Sequence, residues 1–349
     1  RPRGARVKLV FVTQDVDPAS PVLGATVAKL RALGAEADEV VVLALAAVPA
    51  DLPQNVRVRT FAARTKPGRG LRFLRLLAAE LRGADGVLAH MCPIYAVLAA
   101  PVARPLRVPV LLWYAHWHAG RLLRLATLLS SRVLSVDERS YPLRTPKLVA
   151  LGHGIDFADF PPRVPAPHEG FRLLALGRYS PAKGLETVVR AVAAVPGVRL
   201  VAHGPATTAE ERRHHEDLGR LVAELGVADR VELAAPVPRG EVPRLHAEAD
   251  ALVNNMRSGA PDKVVFEACG SALPILASNA SFADLVDGID PPLLFERESP
   301  EELAQRIAAL AALDADARAR IGALLRGRVV ARHSATSWAR GIAAAVASA

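Results

Sequence analysis

Residues 250–278, DALVNNMRSGAPDKVVFEACGSALPILAS, alternate between two kinds of secondary structure. The apolar runs at 250–255 and 273–278 predict two buried strands, because buried parallel strands are nearly continuous in Val, Ile and Leu. Between them the chain turns through Gly-Ala-Pro into an apolar helix that begins near Asp262. This order indicates a parallel α/β sheet, in which ligands bind where strands end and helices begin. The polar residues crowded into this join predict a ligand site there.

The same alternation extends through the whole chain. In the first half we predict strands at 7–13, 39–45, 56–61, 86–90, 109–116 and 132–136. In the second half we predict further strands at 171–177, 198–204, 230–236 and 291–295. Helical patterns separate these strands, and three helix-like stretches follow Pro300. The pattern indicates two doubly wound, Rossmann-like α/β domains that face each other across a cleft.

A proline-rich segment separates the two predicted sheets. Prolines cannot join the interior of a sheet, so residues 158–170 are predicted to link the domains. The predicted parts are an N-terminal domain, this link, a C-terminal domain and a C-terminal helix that packs back towards the N-terminal domain. The N-terminal domain is predicted to span 1–157 and the link 158–170. The C-terminal domain is predicted to span 171–330 and the C-terminal helix 331–349.

Composition limits the class of protein. Half of the 349 residues are apolar, so two sizeable cores can be buried. Cys92 and Cys269 cannot build a disulfide framework, and a reducing, cytoplasmic setting is expected. The short apolar run near the start meets Asp15 and Asp17 at once, which argues against a secretory signal. No uncharged apolar stretch approaches the ~18–20 residues of a spanning helix.

The excess of positive over negative charge is confined to the first half. Residues 1–150 contain 22 Lys and Arg against 10 Asp and Glu, whereas the remainder contains 22 against 25. Biased codon usage would affect both halves, so an anionic acceptor or an anionic membrane surface is the better explanation. The basic helix predicted at 69–83 either lies at a membrane interface or packs on the core with an arginine-rich outer face. No recognition motif supports nucleic-acid binding.

One strand-to-helix join carries two cations. In GRYSPAKGLETVVRA, residues 177–191, Arg178 and Lys183 flank a Ser-Pro turn, an arrangement that suits a diphosphate. Glu267, among apolar neighbours, could accept hydrogen bonds from a ribose diol. A dehydrogenase is disfavoured, because the segment after the first strand offers only Gly24 and no G-x-G-x-x-G pattern.

These segments together resemble the family-4 retaining glycosyltransferases, which have the GT-B fold. The similarity covers nearly the whole chain, in the right order. The segments that carry it are GRYSPAKGLETVVRAV, HGP, LGVADRVELAAPVPRGEVPRLHAEADALV and DKVVFEACGSALPILAS in the second half, and VTQDVDPASPVLGAT and LGHGIDFADF in the first. The resemblance implies an acceptor-binding N-terminal domain and a C-terminal domain that binds a UDP- or GDP-linked sugar.

The resemblance also implies roles for individual residues. Arg178 and Lys183 would hold the donor diphosphate, and Glu267 would contact the nucleotide ribose. Gly24 would lie in the loop that approaches the phosphates, and His116 would lie near the sugar, with His118 as a competing assignment. The remaining residues expected to bind the donor are Gly204, Asp262, Lys263 and Val264.

The sequence departs from the family at one position. The first glutamate of the family's Glu-x7-Glu motif, which helps to hold the donor sugar, is replaced by Gly259. Three explanations remain open. Asp262 and Lys263 could hold the sugar instead, backbone amides could do so, or the donor specificity could be altered. The departure leaves open a catalytically degenerate sugar-nucleotide-binding protein, and the shared fold leaves open a sugar-nucleotide epimerase.

The resemblance suggests retention by front-face substitution without a protein nucleophile. The cations would then replace a metal, so no metal cofactor is expected, and Asp15 and Asp17 are read as a chance Asp-x-Asp. The acceptor is expected to be lipid-linked or otherwise anionic, and contact with the inner face of the membrane is expected to be peripheral. His214 and His215 lie on a highly charged helix and are predicted to be solvated.

Overall fold

The computed structural model describes residues 7–349 except 19, 21, 22, 117 and 258. The described chain forms two compact units. Unit 1 comprises the described residues up to Asp156 together with Arg332–Ala349, and unit 2 comprises Phe157–Ala331. Each unit is built on its own parallel sheet.

Seven parallel strands make up the sheet of unit 1, counted over the described residues. They are β1 (Lys8–Val16), β2 (Glu39–Ala47), β3 (Val56–Thr60), β4 (Gly86–His90), β5 (Val110–Trp113), β6 (Arg132–Ser135) and β7 (Leu148–Ala150). Their order is β3-β2-β1-β4-β5-β6-β7. The helices between them are α1 (Thr26–Glu36), α2 (Lys66–Glu80), α3 (Pro93–Ala103) and α4 (Arg121–Leu129).

Unit 2 has five parallel strands by the same count. They are β8 (Phe171–Leu176), β9 (Val198–His203), β10 (Val231–Ala234), β11 (Ala251–Asn254) and β12 (Ile275–Ala277), in the order β10-β9-β8-β11-β12. The helices are α5 (Leu185–Ala194), α6 (Ala209–Glu224), α7 (Val242–Ala247), α8 (Lys263–Gly270), α9 (Ala283–Val286), α10 (Pro300–Ala311) and α11 (Ala315–His333).

The sheet of unit 1 is buried on both faces, which explains its continuous apolar strands. One face forms a core with Phe73 of α2, Ala96 of α3 and Leu123 of α4. The other forms a core with Leu30 of α1 and with the last helix, α12 (Ala335–Ala347), through Ile342. The end of the chain therefore completes unit 1.

Three features differ from the sequence predictions. The 291–295 segment is not a strand, because it makes only a single bridge, between Leu294 and Ala277. Strand β7 was not predicted. Helix α2 begins three residues early because Thr65 caps it, with its hydroxyl accepting from the Gly68 N–H at 3.2 Å.

The proline-rich segment is packed rather than extended. Phe160 is buried completely, and the Arg163 N–H donates to the Ser271 carbonyl at 2.8 Å. These contacts fix the segment on unit 2. Among the helices of the described residues, none combines the length and the apolar content needed to cross a bilayer.

Candidate active site

The candidate site lies where strands β8 and β11 of unit 2 end. Immediately after β8, Gly177 adopts a φ of 135°, a conformation that only glycine adopts readily. A small pocket opens at this edge of the sheet. Its lining includes Gly177, Lys183, Ala202, Val253, Asn254 and Asn255.

Gly177 makes room for the predicted phosphate-binding lysine. A Cβ on Gly177 would lie 2.6 Å from Cε of Lys183, so any larger residue would displace the lysine side chain. Lys183 ends a 3₁₀ turn that begins at Pro181, and Gly184, with a φ of 55°, then starts helix α5. The Ser-Pro turn recognised in the sequence therefore positions the ammonium group over the end of β8.

Lys183 forms an ion pair with Asp262. The Asn254 amide donates to the same carboxylate oxygen, Oδ2, at 2.9 Å. The lysine and aspartate side chains are each only 16% exposed, so the pair is largely removed from water. The sequence assigned these two residues to different parts of the donor, and the structure brings them into contact.

The two asparagines of the opening stretch are buried. The Asn255 amide donates to the Gly184 carbonyl at 2.8 Å, which ties the end of β11 to the start of α5. Both side-chain Oδ1 atoms are buried without a hydrogen-bond partner in the described part of the chain. Buried amide oxygens normally have partners, so these two are suited to accept from a ligand. Two polar residues at the end of an apolar strand are the sequence feature that could have identified these asparagines as site residues. The sequence analysis gave them no role.

Glu267 is a buried carboxylate held by two cations. It lies in α8 and is 5% exposed. Its Oε1 accepts from Arg239 Nη1 at 2.7 Å and lies 3.0 Å from Nζ of Lys263, one turn earlier in the helix. The Arg239 guanidinium also stacks over the Phe160 ring at 5.0 Å. Arg239 was not predicted as a site residue, and the sequence placed Lys263 at the sugar rather than against Glu267.

Arg178 extends to the start of helix α6. Its Nη1 lies 3.0 Å from Oε1 of the buried Glu211, whereas the arginine side chain itself is well exposed. Glu211 belongs to a capping box with Thr208. A hydrogen bond from the Thr207 hydroxyl, assisted by backbone N–H groups and by Arg178, lowers the pKa of Glu211. Arg178 therefore faces a carboxylate that stays ionised.

Gly259 stands where the resemblance predicts the first glutamate of the motif. Its φ is 138°, and its carbonyl accepts from the Asn279 amide at 3.3 Å and from the Ser281 hydroxyl at 3.0 Å. The neighbouring residue 258 lies outside the described residues. The loop is thus held by its backbone, in a conformation that disfavours a side chain at this position.

Gly204 and Val264 complete the residues predicted in unit 2. A Cβ on Gly204 would overlap the carbonyl oxygen of Gly177, so this glycine permits two loops to touch. Val264 is half-buried in the first turn of α8.

The prediction for the histidine pair was wrong for His214. It is buried, and its Nδ1 lies 3.4 Å from a carboxylate oxygen of Glu186. His215 is half-buried and lies against the Tyr179 ring, with 4.2 Å between ring centroids. The charged neighbours of these two histidines predicted a solvated face, whereas both side chains pack inward.

Gly24 and His116 belong to unit 1. A Cβ on Gly24 would lie 2.8 Å from the carbonyl oxygens of Pro18 and Ser20, so the turn there requires glycine. His116 follows strand β5, and its Nδ1 accepts from the His118 backbone N–H at 3.1 Å. Across the described residues there is no group of three or more His, Cys, Asp or Glu side chains arranged to hold a metal ion.

Comparison with known proteins finds a family match over part of the chain. Residues 170–312 match the family described as Glycosyl transferases group 1. The chain is 32% identical over 167 residues to the D-inositol 3-phosphate glycosyltransferase of Mycobacterium ulcerans, a match that covers 47% of this chain and 35% of that relative. The chain thus spans about a third of the length of that curated relative.

Solved structures match over almost the full length. HepE from Anabaena, solved in complex with UDP, has a TM-score of 0.77 at 17% identity and covers 98% of this chain and 100% of its own. Sucrose-phosphate synthase from Thermosynechococcus elongatus has a TM-score of 0.71 at 18% identity, with coverage of 97% and 98%. At such identities the likeness concerns the fold, and it confirms the predicted GT-B architecture. Residues 170–312 thus match the Glycosyl transferases group 1 model, and the chain has the GT-B fold.

Proposed function

We propose that this protein is a retaining glycosyltransferase that moves a sugar from a nucleotide donor to a hydroxyl group of an acceptor. The observation that carries the proposal is the cluster of Lys183, Asp262 and Asn254 at the strand ends of unit 2. It lies within the segment that matches the glycosyltransferase family. A buried ammonium beside amide groups is suited to a diphosphate, which would replace the Asp262 carboxylate as its counter-ion.

The donor would be a UDP- or GDP-linked sugar. Arg178 and Lys183 would bind the diphosphate, and Glu267 would accept hydrogen bonds from the ribose diol through Oε2. Gly204 and Val264 would shape the pocket, and Asp262 and Lys263 would face the sugar. The UDP complex of HepE, a protein with the same fold, supports a uridine nucleotide as the first donor to test.

The reaction would be a front-face substitution. The bond between the sugar C1 and the phosphate oxygen breaks, the acceptor oxygen forms a bond to C1, and the acceptor proton passes to the departing phosphate. Arg178 and Lys183 would stabilise the negative charge that grows on that phosphate, and His116 would lie near the sugar. Stabilisation of developing charge by prearranged groups is usually the largest contribution to catalysis. No step in this scheme requires a metal ion.

The acceptor is proposed to be anionic and to bind unit 1, whose Gly24 would lie in the loop that approaches the donor phosphates. In the sequence, residues 1–150 carry an excess of 12 positive charges, from 22 Lys and Arg against 10 Asp and Glu. The mycobacterial relative is a D-inositol 3-phosphate glycosyltransferase, named for a phosphorylated compound. A phosphorylated or lipid-linked hydroxyl compound is therefore the acceptor class to test first.

Nucleotide binding tests the proposal most directly. The unfolding of the protein would be measured with UDP, GDP and ADP in turn, for the wild type and for Lys183→Ala and Arg178→Ala. At about 100 times its dissociation constant, the correct nucleotide stabilises the protein by about 2.7 kcal/mol. The two variants should lose most of this shift, whereas Arg190→Ala, which removes an exposed arginine of α5, should retain it.

Turnover separates an enzyme from a degenerate binder. With the preferred nucleotide known, its sugar conjugates would be incubated with phosphorylated acceptors and the glycoside product measured. Product that keeps the anomeric configuration of the donor supports the proposal. Binding without hydrolysis or transfer of any sugar would favour the non-catalytic alternative, and absence of nucleotide binding would contradict both.

A further inference from the structure

Helix α4 of unit 1 exposes a stripe of leucines. Leu122, Leu125 and Leu128 are 42%, 43% and 69% exposed, whereas Leu123 and Ala126 are buried against the sheet. Residues three apart lie on neighbouring turns of one helix face. A nine-residue helix thus presents three large apolar side chains to its surroundings, in addition to the face that it packs on the core.

A further exposed leucine lies in the turn next to the end of α4. The Arg104 guanidinium donates to the Leu129 carbonyl at 3.3 Å, which joins the 3₁₀ turn Arg104–Leu106 to the end of α4. Leu106, in that turn, is 48% exposed. We call Leu106, Leu122, Leu125 and Leu128 the leucine face. Large contiguous exposed apolar surfaces usually mark a site of interaction.

Three exposed arginines flank the leucine face. Arg107, Arg121 and Arg124 are exposed beside these leucines. Residues 86–136, which include α3 and α4, contain five arginines and neither aspartate nor glutamate. An apolar surface flanked by these cations is complementary to a surface that is apolar inside and anionic at its edge.

The basic helix singled out in the sequence is a weaker candidate. In α2, Phe73 and Leu77 are buried in the core, and Leu71 is its one large apolar side chain with high exposure among the described residues. Its apolar side therefore packs on the sheet, as in the core-helix alternative. The surface suited to a bilayer lies on α4 instead.

We propose that the leucine face docks unit 1 on an anionic lipid bilayer. The four leucines would enter the boundary between headgroups and acyl chains, and Arg107, Arg121 and Arg124 would contact anionic headgroups. A second copy of the chain is a poorer occupant, because a two-fold contact would bring the same arginines of both copies together. The proposal does not depend on the identity of the donor or the acceptor.

Vesicle co-sedimentation tests this docking surface. The full chain would be mixed with phosphatidylcholine vesicles, with or without phosphatidylglycerol, at low and high salt. The variants are L122S/L125S/L128S and R121Q/R124Q. The control is L324S, which changes a leucine of α11 with a matching exposure of 45%. All substituted side chains are exposed, so thermal unfolding should stay close to that of the wild type.

The expected outcome has three parts. The wild type binds vesicles that contain phosphatidylglycerol and binds pure phosphatidylcholine weakly. The arginine variant binds about thirtyfold less tightly, since each surface cation contributes about fivefold at an anionic leaflet. The leucine variant loses on the order of a hundredfold or more, because the apolar insertion is removed, and L324S binds like the wild type.

Other outcomes would overturn the proposal. Equal binding of both vesicle types would show that charge complementarity plays no part. Unchanged binding by the leucine variant would place the contact elsewhere on the molecule. A wild-type dimer in sedimentation that the leucine substitutions dissociate, without vesicle binding, would identify a second copy as the occupant.

Discussion

The guanidinium of Arg239 donates to Oε1 of Glu267 over 2.7 Å, and the lysine one turn before Glu267 reaches the same oxygen. Both cations therefore act on one side of the buried carboxylate and fix its orientation. The arginine is itself fixed by the Phe160 ring beneath it. If Glu267 binds the ribose diol, as proposed, Arg239 acts as a positioning residue that directs Oε2 towards the ribose.

Replacement of Arg239 by glutamine should weaken the binding of ribonucleotides selectively. A charge-assisted hydrogen bond is worth about 1.5–3 kcal/mol, so affinity for the preferred nucleoside diphosphate should fall at least about tenfold. Affinity for the 2′,3′-dideoxy analogue, which lacks the diol, should change little. Titration calorimetry with the two nucleotides measures the difference.

Arg244→Gln provides the control, because Arg244 pairs with Glu241 and Glu248 on an exposed helical surface nearby. Exposed pairs of this kind contribute little. Arg244→Gln should therefore bind both nucleotides like the wild type. An equal loss of both nucleotides in Arg239→Gln would indicate a general disturbance of unit 2 rather than a positioning role.

Substitution of Gly177 by alanine should move the Lys183 ammonium group out of its binding position while the lysine itself is kept. The new Cβ would meet Cε of Lys183 at 2.6 Å and displace the ammonium group from Asp262. Binding of a nucleoside diphosphate should weaken at least about tenfold, and binding of the monophosphate should change less. Fluorescence or calorimetric titration with the two nucleotides measures this.

Gly197→Ala is the matched control for backbone strain. Gly197 also has a positive φ, of 75°, but its Cβ would meet no atom within 4 Å. Both variants should lose about 1 kcal/mol or more of unfolding free energy. Only Gly177→Ala should lose diphosphate affinity, and a similar loss in Gly197→Ala would mean that strain alone is responsible.

Introducing the family's glutamate at position 259 should raise neither the affinity for the donor nor the turnover. A φ of 138° is unfavourable for glutamate, so Gly259→Glu would distort the loop that Asn279 and Ser281 hold. We expect lower affinity for the donor and no gain in turnover, measured over a panel of sugar nucleotides. An increase in turnover would instead show that the missing carboxylate is the sugar contact that this chain lacks.

Local patterns predicted the parts of the site that lie close together in sequence. The strand, Ser-Pro turn and helix around Lys183 are readable because each has its own composition and period. The apolar neighbours of Glu267 suggested its role at the ribose, and the family resemblance implied the same role. By contrast, the ion pair of Lys183 with Asp262 joins residues 79 positions apart, and that of Arg239 with Glu267 joins residues 28 apart. Such pairs follow from sheet order, which periodicity does not reveal.

The same limit applies to exposure. The sequence of α4, RLLRLATLL, has leucines on more than one side, and its period does not show which side the sheet covers. Only the structure shows that Leu123 faces the core and Leu128 does not. Similarly, His214 was assigned to solvent because its neighbours are charged, yet the helix turns it inward. Burial depends on the packing partner as well as on the residue's own neighbours.

Mild acid should destabilise unit 2 through His246. This histidine is fully buried between α8 and Phe160, with Nδ1 at 2.8 Å from the Ser271 hydroxyl, and burial lowers its pKa to about 4. An unfolded histidine has a pKa of about 6.5, so between these values the unfolded chain binds the extra proton. The contribution of His246 to the free energy of unfolding is therefore fully present above about pH 6.5, and it is lost as the pH falls towards 4.

Denaturant unfolding at pH 7.5 and pH 5.0 measures this contribution. From the two pKa values, His246 should account for about 2 kcal/mol of the stability lost between these conditions. His246→Gln removes the titrating group, so its loss over the same interval should be smaller by about that amount, even if the variant is less stable at both pH values. An identical loss in the variant and the wild type would show that His246 is not the residue that titrates, and that other groups cause the acid sensitivity.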